Sequence, residues 1–410
     1  MNVERGSGFV PPSRLLVFSD EGPHTSSAGG LQLHRLLQDY PPSSLFVVSR
    51  SEPGDSQRLA CEYRSLRTPW RRFEQSRFHR WKRSLRAFGL VPPVTVAQVD
   101  KLLGEFAPEL VLCVMQHACY YDSAWRYARV RRLPLVVIVH DVNEQFEAVL
   151  PFAAKAMRRR DGAFYRFASK RLCVSPEMEG LCRERYGVPG DVLYPIRGGD
   201  LLPRPVVEAG ALKRPPGLTV GFVGNLNYGY GDELLRLLPA FRASGSRLVV
   251  FGNPPGASCI DLLVARDVVD YRGFVPTAEE AWTAVKSECD AVILPYPNPG
   301  GKLEPLYRFH FPSKLPEYLA LGMPVIVTGP TYATGVAWAL RNSGSSMVNT
   351  VVDSAGLVRQ LVELRESPEM RLLLAEGGLR AGAAAFDLGR TKTAFHRHLR
   401  EAVQGGEGHG

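Results

Sequence analysis

Short apolar segments alternate with amphipathic ones along this 410-residue chain, and the alternation starts twice. The first series opens at residues 15–18, passes through a small-residue stretch from Gly22 to Gly30, and reaches Leu33, Leu36, Leu37 and Tyr40 at helical spacing. Strands are predicted next at 44–48, 110–114, 135–139, 172–174 and 192–194, with a helix over 153–168. The second series opens at 218–223, runs into a glycine turn, and continues with strands at 248–251, 268–271, 291–294 and 325–327. Strands that alternate with helices build parallel sheets covered on both faces. The predicted fold class is therefore α/β, with two Rossmann-like domains facing a central cleft. A last apolar face (Ala394, Phe395, Leu399, Val403) predicts a terminal helix over 391–403 that packs back.

The length suits two domains better than one core. Their boundaries are placed at 1–198 and 199–385, with 386–410 as terminal helix and tail. Gly198, Gly199, Asp200, Pro203, Pro205 and the 213–217 stretch make the junction linker-like. The tail from Gly405 to Gly410 is expected to be disordered. A 45% hydrophobic and 22% charged composition is that of a folded chain. No run of 18 apolar residues predicts a transmembrane helix, and the first residues lack the basic-then-apolar order of a signal peptide. Seven scattered cysteines, an odd number without a C-x-x-C pair, argue for reduced thiols in a cytoplasmic setting.

The net charge of +9 is uneven. Ten basic residues fall within 58–88: Arg58, Arg64, Arg67, Arg71, Arg72, Arg77, Arg80, Lys82, Arg83 and Arg86. Trp70, Phe73, Phe78, Trp81 and Phe88 interleave with them. Cations mixed with interfacial aromatics suit an anionic membrane surface or a phosphorylated acceptor. A solvated Arg-rich face is the plain alternative. No helix-turn-helix, zinc-finger or RNA-binding signature accompanies the patch, so no nucleic-acid partner is expected.

The segment from Phe311 to Val327 carries the sharpest chemical signal. A helix that begins near Ser313 directs free N–H groups and its positive dipole end backward, toward an anion. Lys314 adds a full charge there, and Glu317, one turn in, can accept two hydroxyl hydrogen bonds. A diphosphate attached to a ribose offers that combination. Gly322 and Pro324 then stop the helix before a strand, which any αβ junction would also do.

Four features line up in order: His140-Asp141 after a strand, Val174-Ser-Pro-Glu-Met178, Gly221-Phe-Val-Gly-Asn225, and Asp290-Ala-Val-Ile-Leu-Pro-Tyr296 ahead of the Pro312–Glu317 motif. The set resembles the GT-B nucleotide-sugar glycosyltransferases, specifically the retaining enzymes of glycosyltransferase family 4. The resemblance implies that Glu317 meets the donor ribose, and that Ser313, Lys314 and the backbone near Leu315 meet the diphosphate. Gly224 and Asn225 match the glycine turn beneath the pyrophosphate. His140, with Asp141, matches the catalytic position facing the donor sugar, and Gly29-Gly30 match an acceptor-side glycine loop. His140 could equally be a strand-end histidine, and Gly29-Gly30 a plain helix start.

Two departures stand out. Many relatives carry Glu-x7-Glu, but Phe309 holds the place of the first acid. The Arg and Lys that relatives place after the first strand of the second domain are also absent from Asn225 to Gly231; Lys302, Arg308 or His310 is the expected substitute. The function expected is transfer of a sugar, a UDP-hexose being the expected donor, to a hydroxyl of a lipid-linked, polysaccharide or small-molecule acceptor, with retention. Without an Asp-x-Asp motif no metal cofactor is expected. The alternatives are a non-catalytic glycosyltransferase-like binding partner and a non-hydrolysing sugar-nucleotide epimerase.

Overall fold

The computed structural model describes residues 14–25, 28–50, 54, 57–66, 78–91, 93–116, 118–142, 149–198, 212–253, 261–275, 277–297, 303–350 and 354–406. The chain forms two compact units, one of residues 1–193 with 389–410, the other of residues 194–388. The sequence boundaries of 198 and 385 differ from these by a few residues, and the last helix is counted with the first unit rather than by itself.

In the first unit seven parallel strands run β1 (Leu15–Phe18), β2 (Leu45–Ser49), β3 (Glu62–Ser65), β4 (Leu110–Val114), β5 (Leu135–Val139), β6 (Lys170–Cys173) and β7 (Asp191–Val192), in the order β3-β2-β1-β4-β5-β6-β7. The central four are Val/Leu/Ile-rich and wholly buried, as strands covered on both faces must be. β3, absent from the sequence reading, is an edge strand. Its Glu62 and Arg64 face outward and only Tyr63 is well buried, so no apolar run announces it.

The second unit repeats the plan with six parallel strands: β8 (Thr219–Val223), β9 (Arg247–Phe251), β10 (Val269–Gly273), β11 (Ala291–Pro295), β12 (Val325–Thr328) and β13 (Met347–Asn349), ordered β10-β9-β8-β11-β12-β13. Winding proceeds outward from β8 in one direction and from β11 in the other. The carboxyl ends of β8 and β11 therefore flank the switch point where such sheets take ligands.

The closing helix Leu388–Gly406 starts earlier than predicted and includes Gly405, which the sequence placed in the tail. Its Phe395 and Leu399 are fully buried, and Lys170–Glu401 and Lys392–Asp39 ion pairs, each at 2.6 Å, tie it to the first unit. The linker-like residues 199–211 and the tail 407–410 lie outside the described residues. So do Arg67, Trp70, Arg71, Arg72, Phe73, Arg77 and Lys302. Among the described residues no helix is long and apolar enough to cross a membrane.

Candidate active site

At the end of β8 the main chain is clamped by a phenol. The buried Tyr318 hydroxyl accepts the Val223 N–H at 2.9 Å and donates to the Val223 carbonyl at 3.1 Å. Tyr318 is itself held edge-on against Trp282, with ring centroids 6.0 Å apart. This fixes the helix Lys314–Ala320, which carries Tyr318, against the strand end that leads into Gly224.

Gly224 has φ +142° and donates its N–H to Phe251 O at 2.9 Å. The Lys314 side chain crosses directly over it: a Cβ at position 224 would lie 2.1 Å from Lys314 Cε. Only glycine leaves the lysine that path. The ammonium ends 4.2 Å from the centroid of the Tyr230 ring and 5.7 Å from that of Phe222. Among the described residues no carboxylate forms a salt bridge with it. Burial lowers its pKa to about 8. A desolvated cation without a counter-charge is a site for an anion.

The rest of the helix mouth does less than the sequence suggested. Ser313 takes a helical conformation and makes no side-chain cap, and the Leu315 N–H donates back to Pro312 O at 3.1 Å. The helix is only seven residues long, so its dipole is small. The Lys314 ammonium, rather than Ser313 or the Leu315 amide, is the group poised for an anion. Gly322, at φ +68°, ends this stretch ahead of β12 as expected.

Glu317 is 7% exposed, and one of its oxygens, Oε2, lies 3.5 Å from the Gly198 N–H, at the long limit of a hydrogen bond. Asn225 Oδ1 accepts the Asn227 N–H at 2.8 Å and so shapes the turn after β8. Tyr228 and Gly229 then adopt positive φ, and Tyr307 donates its hydroxyl to the Tyr228 carbonyl. Tyr307 stands edge-on to both Tyr230 and Tyr296, with centroids 6.3 and 5.7 Å apart. The site is thus walled by aromatic rings where relatives are expected to carry cations. Arg308 is not free to replace them, because it pairs with Glu304 and stacks over Tyr332 at 4.1 Å. The His310 carbonyl takes the Thr334 hydroxyl, and Phe309 ends the helix Glu304–Phe309.

In the first unit, His140 and Asp141 leave the carboxyl end of β5, and Gln116, just past β4, donates to Asp141 Oδ2 at 3.3 Å. Gly29 and Gly30 are not in a loop; both sit in the first turn of the helix Ala28–Leu37. Gly30 is required by close approach: a Cβ there would lie 2.7 Å from His24 Nε2 and 3.0 Å from the Gly22 carbonyl oxygen. Gly29 is exposed, its added Cβ meeting only Glu21 Oε2 at 3.6 Å. The small-residue stretch therefore packs a loop onto a helix start.

Tyr230, Phe222 and Tyr318 are site residues that sequence reasoning passed over. Tyr228-Gly-Tyr-Gly231 was legible only as a segment lacking cations, and Tyr318 only as the residue after Glu317 in its motif. Their roles arise from rings and backbone brought together across the sheet.

Residues 45–199 match the sequence model of Glycosyltransferase Family 4. No curated protein matches the chain by sequence. Among solved structures, the chain is similar to sucrose-phosphate synthase from Thermosynechococcus elongatus, with a TM-score of 0.67 at 16% identity over 96% of this chain and 100% of that one. HepE of Anabaena, in complex with UDP and glucose, gives a TM-score of 0.65 at 16% identity over 95% and 99% of the two chains. WaaG, a glycosyltransferase involved in lipopolysaccharide biosynthesis, gives 0.58 at 15% identity over 94% and 99%. By fold the chain resembles these GT-B structures, and residues 45–199 of it match the family 4 model.

Proposed function

We propose that the protein transfers a hexose from UDP to an acceptor hydroxyl, with the second unit holding the donor through Lys314, Gly224, Asn225 and Glu317. The observation that carries this reading is the Lys314 ammonium, held half-buried over Gly224 at a sheet switch point, with no acidic salt-bridge partner among the described residues. HepE, whose fold the chain shares, has been solved with UDP and with UDP-glucose. As the bond from the sugar C1 to the phosphate oxygen breaks, negative charge grows on the diphosphate. A fixed cation in a desolvated site stabilises that charge with little reorganisation. The acceptor oxygen then bonds to C1, and the leaving phosphate takes the acceptor proton on the same face, giving retention without a protein nucleophile or a metal cofactor. His140, Asp141 and the Gly29–Gly30 helix start are assigned to the sugar and acceptor side.

Glu317→Ala tests the donor assignment. Hydrogen bonds to a charged group contribute roughly 1.5–3 kcal/mol, and every 1.4 kcal/mol is about a factor of ten. Calorimetry with UDP-glucose should show affinity at least about tenfold weaker than wild type. Unchanged affinity would remove Glu317 from the ribose site, and release of UDP from no donor at all would favour a binding protein over an enzyme.

A lipid-linked or membrane-borne acceptor is favoured by the first unit's surface. In the helix His79–Ala87 the charged Lys82 and Arg86 are buried, unlike the plain alternative of a wholly solvated basic face, while Trp81 points out. Trp81, Phe88 and Phe152 are each at least half exposed, and Phe152 lies 6.1 Å from both other rings. Exposed Arg126 and Arg129 line a groove beside Phe88, without acidic partners among the described residues. Such a face suits the headgroup layer of an anionic bilayer at the inner membrane face. Wild-type protein should sediment with phosphatidylglycerol-containing vesicles and not with phosphatidylcholine alone. A Trp81→Ser/Phe88→Ser/Phe152→Ser variant should stay in solution, and equal sedimentation of the two proteins would rule the membrane face out.

A further inference from the structure

The aromatic wall around Lys314 has no obvious purpose if its rings are only core. An ammonium packed into a protein is ordinarily matched by a carboxylate, yet the half-buried Lys314 ammonium lies against two ring faces. Tyr230 lies under the ammonium at 4.2 Å, and Phe222 at 5.7 Å lies 6.0 Å from Tyr230 centroid to centroid. Tyr230 is in turn braced edge-on by Tyr307, which Tyr296 braces from behind. The Tyr296 hydroxyl is anchored by the Gly335 N–H at 3.1 Å. A chain of rings thus runs from the carboxyl end of β11 to the lysine.

A carboxylate in the place of Tyr230 would neutralise the lysine and compete with any incoming phosphate. A ring face attracts the ammonium by its quadrupole but carries no net charge, so the full positive charge stays available. It also restrains a side chain whose free rotamers would otherwise have to be ordered when the ligand binds. We infer that Tyr230, braced by Phe222 and Tyr307, is a positioning residue that holds the Lys314 ammonium in place for a nucleoside diphosphate. One neutral ring thereby takes over the placement that a second cation would otherwise share. The inference rests on the donor reading above for its binding arm, and on the ring geometry alone for the rest.

The titratable groups on the elements packed against the lysine are Tyr230, with Asp232 and Glu233 on its helix, Tyr307, on which both acids act, and Glu317 and Tyr318 on the lysine's own helix; Glu233 is paired with Arg236. None of them acts electrostatically on Lys314 strongly enough to offset burial, which alone lowers its pKa to about 8. Removing the ring face should let water reach the ammonium and move this value toward the ordinary lysine range.

The test compares Tyr230→Leu with Tyr230→Phe, which keeps the face and drops only the hydroxyl. UDP affinity measured by calorimetry from pH 7 to 10 should be weaker by roughly three- to tenfold in Tyr230→Leu. Its fall in affinity should begin at higher pH than in wild type, while Tyr230→Phe should match wild type in both respects. The inference is overturned if Tyr230→Leu matches wild type, if it loses affinity without moving the pH at which affinity falls, or if Tyr230→Phe falls as far as Tyr230→Leu. A second readout needs no nucleotide: NMR titration of the methylated Lys314 amine in the full chain. Tyr230→Leu should titrate higher than wild type and Tyr230→Phe should not; equal titration of all three overturns the inference. Failure of wild type to bind UDP would count against the donor reading and leave this second readout to decide.

Discussion

Lys314→Met should lose nucleotide binding without losing the fold. Methionine keeps an unbranched apolar stem over Gly224 and among the rings of Phe222 and Tyr230, and removes only the charge. The lost charge-assisted contact to phosphate is worth roughly 1.5–3 kcal/mol, so the UDP dissociation constant should rise by about ten- to a hundredfold. Stability should hold or increase, because burial disfavours the charged form and no salt bridge offsets it among the described residues. A purely structural lysine would give the opposite split, with a lower melting temperature and unchanged affinity. The pH dependence sharpens the result. The free lysine is protonated below about pH 8 and neutral above it, whereas a bound diphosphate favours the charged form. Wild-type affinity should therefore be flat up to about pH 8 and fall by as much as tenfold per pH unit above it. Lys314→Met should show no such fall. Without ligand the linkage runs the other way: folded protein binds fewer protons here than unfolded chain, so stability rises as pH climbs from about 8 toward 10.5.

The lysine was legible in the sequence, but its setting was not. Pro312-x-Lys-x-x-Glu317 and Gly322-x-Pro324 are local patterns whose meaning is set within two helical turns, and the helix and its stop form as read. The central strands were equally legible, because burial on both faces demands unbroken Val, Leu and Ile. Where burial is one-sided or partial the signal disappears. β3 keeps one buried ring among charges, and β13 is three residues long at the other sheet's edge. Lys82 and Arg86 mislead for a related reason. A basic residue reads as solvated from sequence alone, whereas the fold leaves Lys82 and Arg86 only 4% and 8% exposed.

Long-range placement explains the remaining gaps. Tyr230 and Phe222 became site residues because β8 and the turn after it bring them under a side chain roughly ninety residues later in the chain. At the helix mouth one expected donor, the Leu315 N–H, is turned back onto Pro312 O. Gly29 and Gly30 were matched to an acceptor-side loop by resemblance, with a helix start as the alternative. Small size also permits close packing at a helix start, and Gly30 against His24 shows that use. What a glycine is for depends on which atom occupies the space of its missing side chain.

Gly224 gives the most severe test of that idea. Its missing Cβ leaves room for the lysine itself, since a Cβ would lie 2.1 Å from Lys314 Cε and 3.0 Å from Nζ. At φ +142° any L-residue is strained as well. Gly224→Val should therefore drive the ammonium off the Tyr230 face and weaken UDP binding by more than about a hundredfold, beyond the loss of one charged contact. Stability should fall too, by roughly 1–3 kcal/mol from overpacking and backbone strain. The two effects separate in the Gly224→Ala/Lys314→Ala double variant. Removing the lysine stem frees the space that Cβ needs, so the double variant should unfold at a higher denaturant midpoint than Gly224→Ala alone, with a coupling energy of roughly 0.5–3 kcal/mol. Affinity should not recover, because the cation is gone. Additive stability changes in that cycle would mean that Gly224 serves its own backbone and not the path of Lys314. Intact UDP binding by Gly224→Val would mean that the diphosphate is held somewhere else.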